Sequence, residues 1–168
     1  MGMTSTAYTT RFGSLDDYRK GTIEIIDDDP KHYAFSNVFE VAGMSAPYEK
    51  VAVGINQQYV VEAIRAEGTS GWRTCDHDEA VLCMDGDVTV RLVKLARPPA
   101  PAGKEGSISI DGEPVGEEMG YVRIRRGHMA LLPRASAYRF EAALPSVLLQ
   151  QTCLGDDTIE RWAEICLS

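Results

Sequence analysis

Arg73-Thr74-Cys75-Asp76-His77-Asp78-Glu79-Ala80-Val81-Leu82-Cys83-Met84-Asp85-Gly86 is the stretch on which the fold turns. Its apolar run, Ala80 through Met84, is closed by Asp85-Gly86, a dipeptide suited to a hairpin turn because glycine takes positive φ without steric cost. Directly beyond it, Val88-Thr89-Val90-Arg91-Leu92-Val93-Lys94-Leu95 alternates with a period of two, the pattern of a strand with one face in a core. The two runs read as a β-hairpin. Residues two apart on an extended chain share a face, so Arg73, Cys75, His77 and Glu79 are predicted to project to one side.

Similar short β-branched and aromatic runs occupy residues 22–26, 33–41, 59–65, 121–125, 137–141 and 147–152. Turn-rich breaks at residues 97–103 and 111–116 separate some of them. Many short strands at this spacing predict an all-β barrel or sandwich. A single helix is written clearly: Asp156-Asp157-Thr158-Ile159-Glu160 supplies a capping signal, and Ile159, Trp162, Ile165 and Cys166 follow on one face. The chain of 168 residues, 44% apolar and 25% charged, suits one domain over residues 16–168, with the polar residues 1–15 as an arm.

Seventeen basic and twenty-five acidic residues give a formal charge of −8, and the largest basic group is Arg123, Arg125 and Arg126. That balance argues against nucleic acid and anionic membranes as partners. No run approaches the roughly 20 apolar residues of a membrane span, and the start lacks a basic, then apolar, leader, so a cytoplasmic location is expected. Cys75, Cys83, Cys153 and Cys166 are scattered without zinc-type spacing and read as reduced thiols.

Two segments resemble the paired motifs of the cupin superfamily over roughly residues 60–152. The end of the first motif, a glutamate, six residues and a glycine, is met by Glu79 and Gly86. The start of the second, a glycine, five residues and P-x-G, is met by Gly127 and Pro133-Arg134-Ala135, with alanine in the final glycine's place. This implies an all-β, cupin-type barrel or jelly roll, here with a short C-terminal helix. The ligands depart from the pattern: Arg73 and Cys75 stand at the two histidine positions of the first motif and Tyr138 at the histidine of the second. A guanidinium has no lone pair to give, and a mononuclear non-heme iron site needs about three N/O donors aimed at one point. No metal and no catalytic residue is therefore expected in this chain. Arg73, Cys75, His77, Glu79 and Tyr138 are expected as degenerate ligand positions, with His77 and Glu79 paired to Arg73 where the metal would sit. A site of His77 and Glu79 completed by Cys75 or Tyr138 is the alternative.

At closer range Tyr33-Ala34-Phe35-Ser36-Asn37-Val38-Phe39-Glu40-Val41, Tyr48-Glu49-Lys50-Val51-Ala52-Val53-Gly54, His77-Asp78-Glu79, Arg126-Gly127-His128-Met129, Leu148-Leu149-Gln150-Gln151-Thr152 and Trp162-Ala163-Glu164-Ile165-Cys166 resemble the small (alpha) subunit of two-component hydroquinone 1,2-dioxygenases. The resemblance implies Fe(II)-dependent ring cleavage of hydroquinone by O2 to 4-hydroxymuconic semialdehyde, in the breakdown of nitrophenols. It also implies a larger, iron-carrying cupin subunit as partner, two plus two in a heterotetramer. Trp72, Tyr33, Phe35 and Phe39 are then candidates for the wall of the partner's site or for the interface, with Trp72 as a plug of this barrel's own mouth as the competing reading. A metal-free cupin that binds a small molecule or acts as a regulatory module is the second functional reading.

Overall fold

The computed structural model describes residues 37–97, 106–162 and 164. The expected arm at 1–15, the strand at 22–26, and Tyr33 and Phe35 lie outside them. Chain order runs α1 (Val38–Met44), β1 (Lys50–Asn56), β2 (Tyr59–Thr69), β3 (Trp72–Thr74), β4 (Glu79–Asp85), β5 (Asp87–Leu95), β6 (Ile108–Ile110), β7 (Gly116–Arg125), β8 (Met129–Leu132), β9 (Ser136–Cys153) and β10 (Thr158–Ile159).

β9 organises the barrel. Its first half pairs antiparallel with β5, from Ser136 against Lys94 to Glu141 against Thr89, and with β3 through Tyr138 and Arg73. Its second half pairs with β2, for example Leu149 against Ala63, and with β4, Leu149 against Leu82. The sequence suggests two strands here; they are one, switching sheets at the exposed residues 143–145, where Pro145 cannot donate to a ladder. The resulting layers, β10-β1-β2-β9-β4-β8 and β7-β5-β9-β3-β6, curl around one interior. This is the cupin-type all-β barrel expected from the sequence.

Alternation places the core. Val81 and Cys83 of β4, Val88 and Val90 of β5, Ala130 and Leu132 of β8, and Tyr138, Phe140 and Leu148 of β9 meet in one buried cluster. The scaffold glycines do what the motifs require. Gly86 turns the β4–β5 hairpin at φ +91°, and Gly127, at φ +83°, has its N–H 2.8 Å from the Cys83 carbonyl. Ala135 takes φ +60° in the position where the motif has glycine.

Two expectations change. Residues 38–41 form α1 and not a strand: the Asn37 side chain caps the helix by accepting from Phe39 N–H at 3.0 Å, and Val41 packs on Val51 and Ala63. At the other end, Thr158 and Ile159 form β10, parallel to β1, so the helix expected from this capping signal is not in place there. The Thr158 hydroxyl donates to Glu62 at 2.7 Å, a tertiary bond that replaces the capping role. Trp162 and Glu164 are helical, and Ile165 and Cys166 lie outside the described residues.

Candidate functional site

The ligand-position residues do not converge. β3 ends at Thr74 and the chain bends at residues 76 and 77 before β4, so the four alternating side chains do not share one face: Cys75 and His77 meet, while Arg73 and Glu79 take other partners. Arg73 pairs with Asp157 at 2.6 Å and lies 3.4 Å from Ser107 Oγ. The expected pairing of Arg73 with His77 and Glu79 is absent among the described contacts: the bend breaks the shared face, and Asp157 offers the guanidinium a partly exposed carboxylate with less desolvation cost.

Cys75 is buried and donates its S–H to the Gly106 carbonyl at 3.3 Å, with its sulfur 2.9 Å from His77 Nδ1. His77 fastens the bend to β9. Its Nε2 accepts the Cys153 N–H at 3.1 Å and lies 3.2 Å from Thr152 Oγ1, while Nδ1 is 3.1 Å from Asp76. Cys75, Asp76 and His77 do bring three donor atoms within 4.8 Å of one another. With the Nε2 lone pair committed to Cys153, however, the ring proton belongs on Nδ1 beside Asp76, which leaves neither nitrogen a free lone pair for a metal. Burial, then the charge of Glu79, pushes the Cys75 thiol up to about 12, so it stays protonated.

Glu79 and Tyr138 do meet, and the residue that joins them is Gln150. Its Nε2 donates to Glu79 Oε1 at 2.9 Å and to the Tyr138 hydroxyl at 2.9 Å. All three are fully buried. The Tyr138 phenol is held well above its ordinary value by burial first and by Glu79 second. Glu79 Oε2 and Gln150 Oε1 keep no hydrogen-bond partner among the described atoms. Beside Gln150 lies a cavity of about 10 Å³, lined also by Tyr48, Lys50, Arg73 and Phe140. It is the size of one water, whereas a benzene-sized ligand needs on the order of 150 Å³.

Iron does not fit this donor set. One carboxylate already engaged by an amide, a neutral phenol and an amide oxygen fall short of the two imidazoles and a carboxylate such a site uses.

Gln150 escapes motif reading, although its place in Leu148-Gln150-Thr152, the inward phase of β9, marks a polar side chain aimed at the core. A second buried polar group also escapes it. Lys50 pairs with Glu62 at 2.9 Å, both almost wholly buried, and its ammonium also donates to Ser107 Oγ. Trp72 is 7% exposed, donates its indole N–H to Glu113 at 2.9 Å and lies under the Arg139 guanidinium, 4.6 Å from the ring centre. Phe39 sits 43% exposed on α1. His128 accepts the Arg125 N–H at 3.0 Å, a turn-stabilising role.

No protein-family model and no curated protein matches the chain. Solved structures do. A chain of hydroquinone 1,2-dioxygenase PnpCD, in complex with Cd2+ and 4-hydroxybenzonitrile, is 55% identical, with 98% of this chain and 100% of that one covered and a TM-score of 0.78. A chain of hydroquinone 1,2-dioxygenase from Sphingomonas sp. TTNP3, with 4-hydroxybenzoate bound, is 55% identical over 95% of this chain and 97% of that one, also at 0.78. A longer chain, from PnpCD in complex with Fe3+, shares the fold at 9% identity and a TM-score of 0.55, with 86% of this chain aligned to 41% of that one. The hydroquinone 1,2-dioxygenase PnpCD thus contains two kinds of chain, one matched end to end and one matched in fold over part of its length. With 55% identity over nearly its whole length, the chain belongs to the hydroquinone 1,2-dioxygenase family.

Proposed function

We propose that this chain is the non-catalytic small subunit of a cytoplasmic, Fe(II)-dependent hydroquinone 1,2-dioxygenase, in which a larger cupin subunit carries the iron and cleaves hydroquinone with O2 to 4-hydroxymuconic semialdehyde. The observation that carries this reading is the Glu79–Gln150–Tyr138 cluster: the motif's remaining carboxylate is occupied by an amide from β9, and the ligand-position arginine is paired with Asp157. A family member whose own barrel centre is closed in this way serves the reaction through a partner. The alternative of a free-standing small-molecule binder would need an enclosed site: the cavity beside Gln150 has room for about one water, and the hollow of about 370 Å³ between Lys94, Leu95, Val115 and Gly116 is a wide, open one.

Two plus two is the assembly we assign. Co-expression with the larger subunit, purification through a tag on this chain, elemental analysis and hydroquinone-dependent O2 uptake test the reading together. The expected result is an active, iron-containing complex and an isolated chain with neither iron nor activity. Iron near one per isolated chain, lost in His77→Ala, overturns it.

Trp72 belongs with the packing residues in this reading, because Glu113 and Arg139 of the same chain hold its ring. Trp72→Ala is expected to lower the stability of the chain and leave activity per assembled complex unchanged. Normal stability with poor turnover would instead make the indole a wall of the partner's site.

A further inference from the structure

Part of the outer sheet surface of this acidic chain carries no charged side chain. The outward side chains of β2, β9, β4 and β8 line up across the sheet in two registered rows. Val61, Gln151, Ala80 and Leu131 form one, and Ala63, Leu149, Leu82 and Met129 form the next. Neither row contains a Lys, Arg, Asp or Glu. α1 covers one end, where Val41 packs on Val51 and Ala63 and Val38 packs against the same cluster. The other end is open: Met129 is 67% and Leu131 58% exposed, with Val61 at 37%. Both large residues lie on β8, which pairs only with β4 among the described strands and so offers a free edge beside the open rows.

We propose that this outer face, centred on Met129 and Leu131 and bounded by α1, is the docking surface for the larger cupin-fold subunit, an assignment that rests on the reading above. Three features select that occupant. The absence of charge across two rows is the composition of an obligate interface core, whereas transient contacts have about the polarity of ordinary surface. A second copy brings another formal −8 to the contact, so self-association is opposed by net charge where a different chain need not be. PnpCD, a close relative, contains a longer chain of the same fold, and such a barrel has sheet faces of its own to set against this one.

Met129→Glu and Leu131→Glu place a charge on side chains that already face solvent in the isolated chain, so folding should tolerate them. Each is co-expressed with the larger subunit beside the wild type and an Arg126→Glu control off the rows. The wild type and the control should copurify at full yield, and each face variant should lose at least tenfold of its bound partner while keeping the wild-type melting temperature alone. Failure of the wild type to copurify removes the two-subunit reading itself. Normal copurification of both variants beside a competent wild type overturns the face and leaves that reading intact. Two further outcomes also overturn the assignment. A wild-type homodimer that the variants make monomeric gives the face to a second copy, and a lowered melting temperature with normal copurification gives it to other residues of this chain.

Discussion

A buried amide in place of a metal has an energetic signature that can be measured. Gln150 satisfies Glu79 and Tyr138 at once, so Gln150→Ala strips one oxygen of Glu79 and the Tyr138 hydroxyl of their shared donor in a site closed to water. Leaving buried polar groups unsatisfied costs about 1–3 kcal/mol each, beyond the cavity itself. The expected loss is about 2–5 kcal/mol in urea unfolding, and a loss below about 1 kcal/mol would show that the cluster is not the tight network described. Ala135 gives the opposite test. It adopts φ +60° where its Cβ crowds the following carbonyl, a strain of about 1–2 kcal/mol, and glycine would relieve it at about 0.5–1 kcal/mol of extra chain entropy. Ala135→Gly is therefore expected to stabilise the protein by up to about 1 kcal/mol, read from the same unfolding curves.

Between residues and the barrel stand the turns and the strand register, and there the β4–β5 hairpin is the sensitive joint. A Cβ on Gly86 would lie 2.1 Å from Ser146 Oγ and 3.0 Å from Ser146 Cα, on top of a φ of +91°. Gly86→Ala should destabilise by about 2–4 kcal/mol, and Ser146→Ala should restore only part, because the backbone strain remains. The hairpin was legible in the sequence for this same reason: Asp85-Gly86 sits between two alternating runs, and local chemistry decides local turns. The strand at residues 88–95 was legible from alternation, those at 59–65 and 79–84 from β-branched and apolar runs bounded by turns, and Glu79, Gly86, Gly127 and Pro133 from spacing. Partnership across the barrel was not. Residues 38–41 carry enough β-branched and aromatic character to suggest a strand, yet one Asn37 cap and burial of Val41 on β1 and β2 make them helical. Thr158 reads as a cap and instead bonds Glu62, ninety-six residues earlier. The site divides along the same line. The sequence shows that Arg73, Cys75 and Tyr138 are poor ligands, but Gln150 and Asp157, which take Glu79 and Arg73 respectively, are brought near only by β9 and the segment after it.

At the scale of the whole molecule, two thiols and two phenols share one direction of shift, and together they bear on how stability responds to base. Burial pushes the Cys75 thiol from 9.0 and the Tyr48 phenol from 10.0 up to about 12, with Glu79 and Glu141 adding to the respective effects. Cys83 is raised by burial and Asp85, and Tyr138 is raised by burial and Glu79. Each group holds its proton in the folded state at a pH where the unfolded chain has released it. Above pH 9 the unfolded state therefore binds fewer protons, and stability must fall as pH rises, with the contribution of these groups intact below that point and lost by about pH 12. The isolated chain is expected to show a constant urea midpoint from about pH 7 to 8.5 and a progressive decline from about pH 9 upward. Cys75→Ala with Cys83→Ala should delay the onset toward pH 10, where the tyrosines take over. Tyr48→Phe should flatten the remainder, after a uniform loss of about 0.5–1.5 kcal/mol for its 2.7 Å bond to the Gly68 carbonyl. A midpoint that stays level to pH 11 in the wild type would mean that these thiols and phenols titrate in the folded chain as freely as in the unfolded one, and that the barrel centre admits water.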